Sequence, residues 1–328
     1  MKVCIVGAGA IGGFIGARLA AAGRSEVSAV AVGPTLTALR THGWRLHHEG
    51  RLIQAPATAS DNAGDLGQQD LIVVAVKGPV LQRVAPMIAE MLGPRTVVLP
   101  AMNGVPWWFG HGTVLGDEPL TSVDPGGRVA AAIPFDRVLG CVVHASSTRP
   151  EPGIVRHVMG NGLIVGEAAG GESERSAAVG GLLSHAGFDV KVSPDVRYDI
   201  WYKLWGNLTM NPVSAITGAT IDRLLADPLV REFCAAAMRE AATIGERLGC
   251  AIAQSPEDRN AVTAKLGAFK TSMLQDVEAG REIELDAIVS AVQEIGCRLG
   301  QPTPTIDALL GLARLFGRTR GLYPQAPP

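Results

Sequence analysis

The sequence predicts an α/β protein: an N-terminal Rossmann-type doubly wound sheet with a second, all-helical C-terminal domain. Three observations predict it. Short Val- and Ile-rich runs alternate with segments of helical period through the first half. A glycine-spaced turn, Gly7-Ala8-Gly9-Ala10-Ile11-Gly12, follows the first of those runs directly. From about Asp195 onward, helix-start and helix-stop signals replace strand signals. The predicted division is 1–193 and 194–328, and a chain of 328 residues supports two domains of about 150 residues each.

Taken in order, Val3–Val6, Val27–Val32, Leu71–Val76 and Thr96–Leu99 read as buried parallel strands. Ile11–Ala22, Thr35–His42 and Pro79–Leu92 have helical period between them, the pattern of right-handed strand–helix–strand crossovers. Ala101 to Pro134 is rich in Gly and Pro and reads as an excursion. Its Trp107-Trp108 pair reads as a packed aromatic patch on a surface loop, or as part of a lid or oligomer contact. Val138–Ala145, Gly153–Met159 and Leu163–Gly166 are spaced like antiparallel edge strands. A helix over Glu174–Ala186 and a strand over Phe188–Val192 close the first domain.

In the second domain, Asp227-Pro228 forms an N-cap and first-turn pair for a helix through Leu248, stopped by Gly249. Ser255-Pro256 repeats the signal, with Asp258 at the capping-box position, and predicts one helix to about Glu278. Further helices are predicted over Ile283–Leu299 and Thr305–Phe316, with a loose tail from Gly317.

Composition removes several function classes. Lys+Arg is 29 against Asp+Glu 31, so no excess of positive charge points to nucleic acid. The five cysteines are scattered without CxxC spacing, which favours a reducing compartment, the cytoplasm, over a disulfide framework. The seven histidines show no ligand spacing, so no metal is expected. The apolar N-terminus mimics a signal peptide, but Arg18 interrupts it and its glycines have motif spacing. No segment has the length of a membrane span.

The glycine turn carries the first piece of chemistry. After a strand and at the start of a helix, Gly7 permits the tight turn, Gly9 admits a pyrophosphate to the backbone, and Gly12 allows close helix–strand packing. This predicts a dinucleotide site formed by Gly7, Ala8, Gly9, Ala10, Ile11 and Gly12. An acid at the end of the second strand would hold the ribose hydroxyls of NAD; Ala31-Val32-Gly33 has none. That favours NADP, with Arg40 or Arg24 as candidates for its 2′-phosphate.

The second piece is Trp201-Tyr202-Lys203-Leu204-Trp205-Gly206-Asn207-Leu208-Thr209-Met210-Asn211-Pro212. Lys203 and Asn207 are i,i+4 neighbours, and Asn211 lies about 80° round the helix from Lys203. Trp201 and Trp205 face the other way as core anchors. One face therefore offers an ammonium that can protonate a nascent alkoxide and two amides that can orient substrate oxygens. Spacing alone also fits a solvated helix face.

These motifs together resemble the ketopantoate reductase (2-dehydropantoate 2-reductase) family over nearly the whole chain. The matching residues are Gly7–Gly12, Lys77, Asn103-Gly104, Lys203 with Asn207 and Asn211-Pro212, Ser272-Met273-Leu274-Gln275-Asp276, Glu284 and Asp286. The resemblance implies reduction of a 2-oxo acid by NADPH, 2-dehydropantoate to pantoate. It implies Lys203 as the proton donor and Glu284 as a catalytic residue orienting substrate or cofactor. It implies Asn207, Asn211 and Ser272 on the substrate, Asn103 where nicotinamide and substrate meet, and Lys77 beside the cofactor. The residues alone would not select Ser272, which reads as a helix-surface serine, or Glu284, which stands among Glu278, Glu282 and Asp286. A small-molecule 2-oxo acid is the expected partner, and a homodimer is compatible with the sequence.

The chain departs from that family in three places. Val32-Gly33-Pro34 stands where members carry an Arg for the NADP phosphate. Ala219-Thr220-Ile221-Asp222 stands where the prototype has a further substrate-side Asn. The excursion through Pro134 is longer than the compact pattern. A Lys-x3-Asn helix also occurs in 3-hydroxyisobutyrate dehydrogenases, so a hydroxyacid dehydrogenase for another branched 2-oxo acid is one rival reading. A non-catalytic nucleotide-binding regulator is the other.

Overall fold

The computed structural model describes residues 1–325 and divides them into two compact units. The first comprises Met1–Phe109 and Gly127–Asp199, the second Gly110–Gly126 and the chain from Ile200. The expected division at 193/194 therefore moves six residues on, into the first turn of a long helix. Residues 110–126 of the excursion group with the helical unit, which no local pattern in the sequence signals.

The first unit's strands are β1 (Lys2–Val6), β2 (Glu26–Val30), β3 (Trp44–His48), β4 (Arg51–Ala55), β5 (Thr58–Ser60), β6 (Gln69–Val74), β7 (Leu92–Pro100), β8 (Leu139–Glu151), β9 (Ile154–Glu167) and β10 (Asp189–Val192). Its helices are α1 (Ala10–Ala22), α2 (Gly33–His42), α3 (Gly78–Glu90), α4 (Arg128–Ala132) and α5 (Glu174–His185). One sheet has the order β5-β2-β1-β6-β7, parallel throughout. Strands β1, β6 and the last part of β7 are buried on both faces, which is why they read as apolar runs rich in Val, Ile and Leu.

A second sheet, β10-β9-β3-β4 with β8 on β9, corrects the expected edge strands. Residues 153–159 and 163–166 form one strand, β9, and with β8 they make a long antiparallel hairpin outside the parallel sheet. Strands β3 and β4 carry no apolar run because Arg, His and Gln interrupt them, and β5, Thr58–Ser60, is only three residues long.

Helix α1 separates the two sheets, and its glycines explain how. A Cβ on Gly12 would fall inside contact distance of the Gly7 carbonyl oxygen. A Cβ on Gly13 would lie 2.5 Å from Val155 of β9, and one on Gly16 would lie 2.5 Å from the ring of Trp44 on β3. The helix is thus small-faced toward both sheets and buried around most of its circumference, so it shows no single apolar stripe.

The second unit contains most of α6 (Val196–Thr217), then α7 (Ile221–Ala226), α8 (Pro228–Arg247), α9 (Pro256–Ala264), α10 (Ser272–Glu278), α11 (Ala291–Arg298) and α12 (Pro304–Thr319). Asp227 caps α8 by accepting from Leu229 and Val230, and Ser255 caps α9 by accepting from Asp258. The single helix expected from 256 to 278 is two, because Gly267 takes a positive φ of 62° and Thr271 starts a new helix. The expected helix from 283 begins instead as a π-helical turn, Asp286–Ser290. The expected loose tail is packed: Leu322 is buried, and its carbonyl accepts from the Ile283 N–H at 2.9 Å.

Within this unit the excursion is clamped to α11. The Glu294 carboxylate accepts from the N–H groups of Thr121 and Ser122, both at 2.8 Å, and Arg298 donates to the carbonyls of Glu118 and Pro119. Burial works against the charge on Glu294, but these donors outweigh it and hold its pKa below the ordinary value.

Candidate active site

The predicted residues fall into two groups, one in each unit. In the first unit, every predicted residue follows the C-terminal end of a strand in the parallel sheet. The glycine turn follows β1, Lys77 follows β6 and caps α3, and Asn103 follows β7. Because β1, β6 and β7 are consecutive neighbours, these groups line one sheet edge. Strand order reverses at β1, the topological position where α/β sheets bind nucleotides.

The glycine turn fits a pyrophosphate by a direct steric test. Gly7 has φ +93°, and a Cβ there would meet Val76 at 2.5 Å. Gly12 is closed off by the Gly7 carbonyl, Ala75 and Ile5. Gly9 is different, since a Cβ there would meet nothing within 4 Å. Two glycines are thus required by the protein's own packing, and the third leaves an open approach at the start of α1. That combination suits a diphosphate held by backbone N–H groups.

At the end of β2, Val32 is 70% exposed and no Cβ at Gly33 would meet an atom within 4 Å. Of the two arginines expected to serve this place, one is at the other end of the strands and the other is already engaged. Arg24 lies just before β2, at the opposite end of the strands, and its Nε contacts His185 at 3.1 Å. Arg40 starts about 10 Å down α2 from Gly33, and its guanidinium reaches the end of β5, where Nε donates to the Ala59 carbonyl at 3.0 Å and Nη2 stands 3.9 Å from the Asp61 carboxylate. Two residues that the sequence reading missed come from β8 instead. Ser147 Oγ donates to the Ala10 carbonyl at 2.8 Å, and Arg149 Nη1 donates to Thr35 Oγ1 at 2.8 Å. Both contacts span more than a hundred residues, so no local pattern announces them.

In the second unit, Lys203, Asn207 and Asn211 share one face of α6, the first two half-buried and Asn211 buried. Trp201 and Trp205 are each 1% exposed, and their indole N–H groups donate to the carbonyls of Ala241 and Met238 on α8. Removing a buried indole costs about 3–5 kcal/mol, so these anchors fix the rotation of α6 and with it the direction of Lys203. Tyr202 is held from its other side: its hydroxyl donates to Gln254 at 2.7 Å, and the Arg259 guanidinium sits 4.7 Å from its ring centroid.

A polar chain joins α6 to the start of α10. Ser214 Oγ donates to the Asn211 carbonyl at 2.9 Å, so the 2.5 Å contact between Ser214 and Thr271 has Thr271 as donor. Thr271 Oγ1 in turn accepts from the Leu274 N–H and caps α10. Ser272, exposed at the first position of α10, is thereby tied to the turn of α6 that carries Asn211. Thr271 could have been found as an N-cap, but its link to Ser214 could not.

Glu284 is half-buried between two fixed points. The neighbouring Ile283 N–H is held by Leu322, and Asp286 accepts from the Tyr323 hydroxyl at 2.5 Å and from Ser290 at 3.0 Å. Burial, then the Asp286 carboxylate, pushes the Tyr323 hydroxyl pKa well up, so it stays a donor. The π-helical turn follows immediately, a feature frequent beside functional residues.

Comparison with known proteins decides the family. The family described as "Ketopantoate reductase PanE/ApbA" matches residues 3–170, and its C-terminal counterpart matches residues 195–316. The chain belongs to the ketopantoate reductase family. A 2-dehydropantoate 2-reductase of Mesorhizobium japonicum is 44% identical over 98% of this chain and all of its own length. A Ralstonia solanacearum MolK2 protein, provisionally named a ketopantoate reductase, has a crystal structure that matches with TM-score 0.95 at 54% identity, covering 98% of this chain and 99% of its own. A 2-dehydropantoate 2-reductase from Methylococcus capsulatus matches with TM-score 0.83 at 26% identity, covering 98% of both chains. The family is one of nicotinamide-dependent oxidoreductases acting on CH–OH groups, which makes this chain an enzyme with a small-molecule substrate. Among the described residues, no helix is long and apolar enough to cross a membrane.

Proposed function

We propose that this enzyme reduces 2-dehydropantoate to pantoate with NADPH, Lys203 supplying the proton. The observation that carries the proposal is the single helix face bearing Lys203, Asn207 and Asn211, set by two buried tryptophans, in a chain of this family. The bound nicotinamide dinucleotide supplies the hydride. The glycine turn holds its diphosphate, with Lys77 and Asn103 further along the same sheet edge. Lys203 Nζ places a positive charge on the substrate's carbonyl oxygen and gives it a proton as negative charge develops there. Asn207 and Asn211 donate to substrate oxygens, and the Ser272 hydroxyl donates to its carboxylate. Glu284 orients Lys203 and the reactants. Preference for NADPH over NADH is supported by the absence of a carboxylate at Val32-Gly33.

The test is oxidation of NADPH and of NADH by purified protein against 2-dehydropantoate and a panel of branched 2-oxo acids, with Lys203→Ala in parallel. The expected result is 2-dehydropantoate-dependent NADPH consumption, with kcat lowered about 10²–10⁴-fold in the variant. Undiminished turnover by the variant overturns the role of Lys203. One observation favours a second reading, another branched 2-oxo acid. Where the family prototype has a substrate-side Asn, Ile221 is buried and the Thr220 hydroxyl donates to Asp222, so this segment presents no carboxamide. Turnover confined to a different acid on the panel selects that reading.

A further inference from the structure

The NADPH reading requires a cation for the 2′-phosphate, and the end of β2 supplies none. Val32 and Gly33 offer no charge, Arg24 sits at the other end of the strands, and Arg40 is engaged with the Ala59 carbonyl and faces the Asp61 carboxylate. Strand β8 comes from a distant part of the chain and passes both phosphate-side elements. Ser147 fastens it to the Ala10 carbonyl, inside the glycine turn. Arg149, two residues on, fastens it to Thr35 in the first turn of α2. That spacing covers about 7 Å, directed from the diphosphate loop toward the end of β2, where a Rossmann domain holds the adenosine ribose.

Two more features fit a phosphate at this place. Among the described residues no carboxylate pairs with Arg149, although its side chain is exposed and a guanidinium is a strong bidentate phosphate donor. The turn that follows lies flush on α2, since a Cβ at Gly153 would stand 2.5 Å from that of Ala38, so the hairpin's placement over α2 is fixed by contact. The Thr35 hydroxyl, accepting from Arg149, keeps its own proton to donate.

We propose that Arg149, held by Thr35, is the residue that reads the 2′-phosphate of NADPH in this enzyme. The proposal rests on the NADPH reading above. It makes cofactor choice a property of the second sheet's hairpin instead of the β2 end.

The test is direct binding, followed by quenching of protein fluorescence on titration with NADPH and, separately, NADH. Wild type, Arg149→Gln, Arg149→Lys and Thr35→Val are compared, with circular dichroism melts alongside. Arg149→Gln is expected to raise the NADPH Kd about 10- to 100-fold, the loss of a charge-assisted contact, while the NADH Kd stays within about twofold. Arg149→Lys should recover part of the loss, because it keeps the charge without the fork. Thr35→Val keeps the guanidinium and the volume, so it carries the test if Arg149→Gln does not fold. It should weaken NADPH alone by about three- to tenfold. Equal loss for both cofactors, or no change, overturns the assignment. A wild type that prefers NADPH together with a folded Arg149→Gln that prefers it equally overturns Arg149 alone. A wild type that binds NADH as tightly as NADPH overturns the cofactor reading and the assignment with it.

Discussion

The two groups of candidate residues, one in each unit, are built from different materials. The group in the first unit is made mainly of backbone: a turn in which side chains are missing because the fold has no room for them at Gly7 and Gly12, with the space at Gly9 left open. The group in the second unit is made of side chains, carried on α6, α10 and the segment before the π-helical turn, and aimed by packing elsewhere. A backbone site is specified by the spacing of a few adjacent residues. A side-chain site depends on every contact that sets a helix's rotation. The first tolerates variation in its surroundings and fails abruptly at its glycines, whereas the second is tunable at many remote positions.

The largest expected effect tests the dependence of Lys203 on remote packing. Trp205→Ala should cost about 3–5 kcal/mol of stability. It should also lower kcat in protein that remains folded, because the indole–Met238 contact sets the rotation of α6. Chemical unfolding and steady-state kinetics would check both, and an unchanged kcat would show that the helix holds Lys203 without its anchor.

The glycines sharpen the comparison next. Gly12→Ala should cost about 1–3 kcal/mol or more, since its Cβ meets rigid backbone. Gly9→Ala should leave the melting temperature within a degree or two of wild type, because its Cβ meets nothing. Its NADPH affinity should nevertheless fall about tenfold, through crowding of the diphosphate. If both variants lose stability alike, the open approach at Gly9 is not a ligand space.

A smaller effect is expected at the joint between α6 and α10. Thr271→Val removes a helix cap and the Ser214 contact, costing about 0.5–2 kcal/mol. It should raise KM for the oxo acid more than it lowers kcat, since Ser272 is displaced and Lys203 is not. The smallest effect is expected at the Glu167–Arg175 pair, 2.6 Å apart. Hydrogen bonding from Arg175, opposed by burial and helped by Ser173, holds the Glu167 pKa below its ordinary value. A depressed carboxylate stabilises the fold above the unfolded-state pKa of about 4.3. That stability is lost as pH falls through the lower, folded value. Thermal melts of Glu167→Gln should therefore lie below wild type at pH 7, and the gap should close below about pH 4. A gap that persists at pH 3 would assign it to packing.

The legible parts were those in which one stretch of chain carries its own reason. The glycine turn, the Lys203–Asn207–Asn211 face and the Asp227 and Ser255 caps all lie within a dozen residues of their partners. The parallel strands were legible because burial on both faces removes polar residues from them. Strands β3–β5 were not, because one face is polar and they are short. The break between α9 and α10 looked continuous because residues 265–271 keep enough helix formers to mask Gly267. Ser272 and Glu284 were selected only through family resemblance, since a serine or glutamate on a helix surface has no distinguishing neighbour in sequence.

What the sequence determined by itself is therefore local: a glycine turn at the start of a helix, a helix face carrying Lys203, Asn207 and Asn211, and the alternation that makes an α/β unit. Those follow from steric exclusion at glycine, from the helical repeat and from the burial of apolar runs, all of which act over a few residues. Tertiary structure decided the rest. It placed α1 between two sheets, drew residues 110–126 onto α11 through Glu294, and packed the C-terminal segment beside Glu284. It also tied Ser147 to Ala10 and Arg149 to Thr35. Each of these is a contact between segments tens to hundreds of residues apart. Its energy depends on shape and on hydrogen bonds formed only after both segments have folded, and neither segment carries a pattern that names the other.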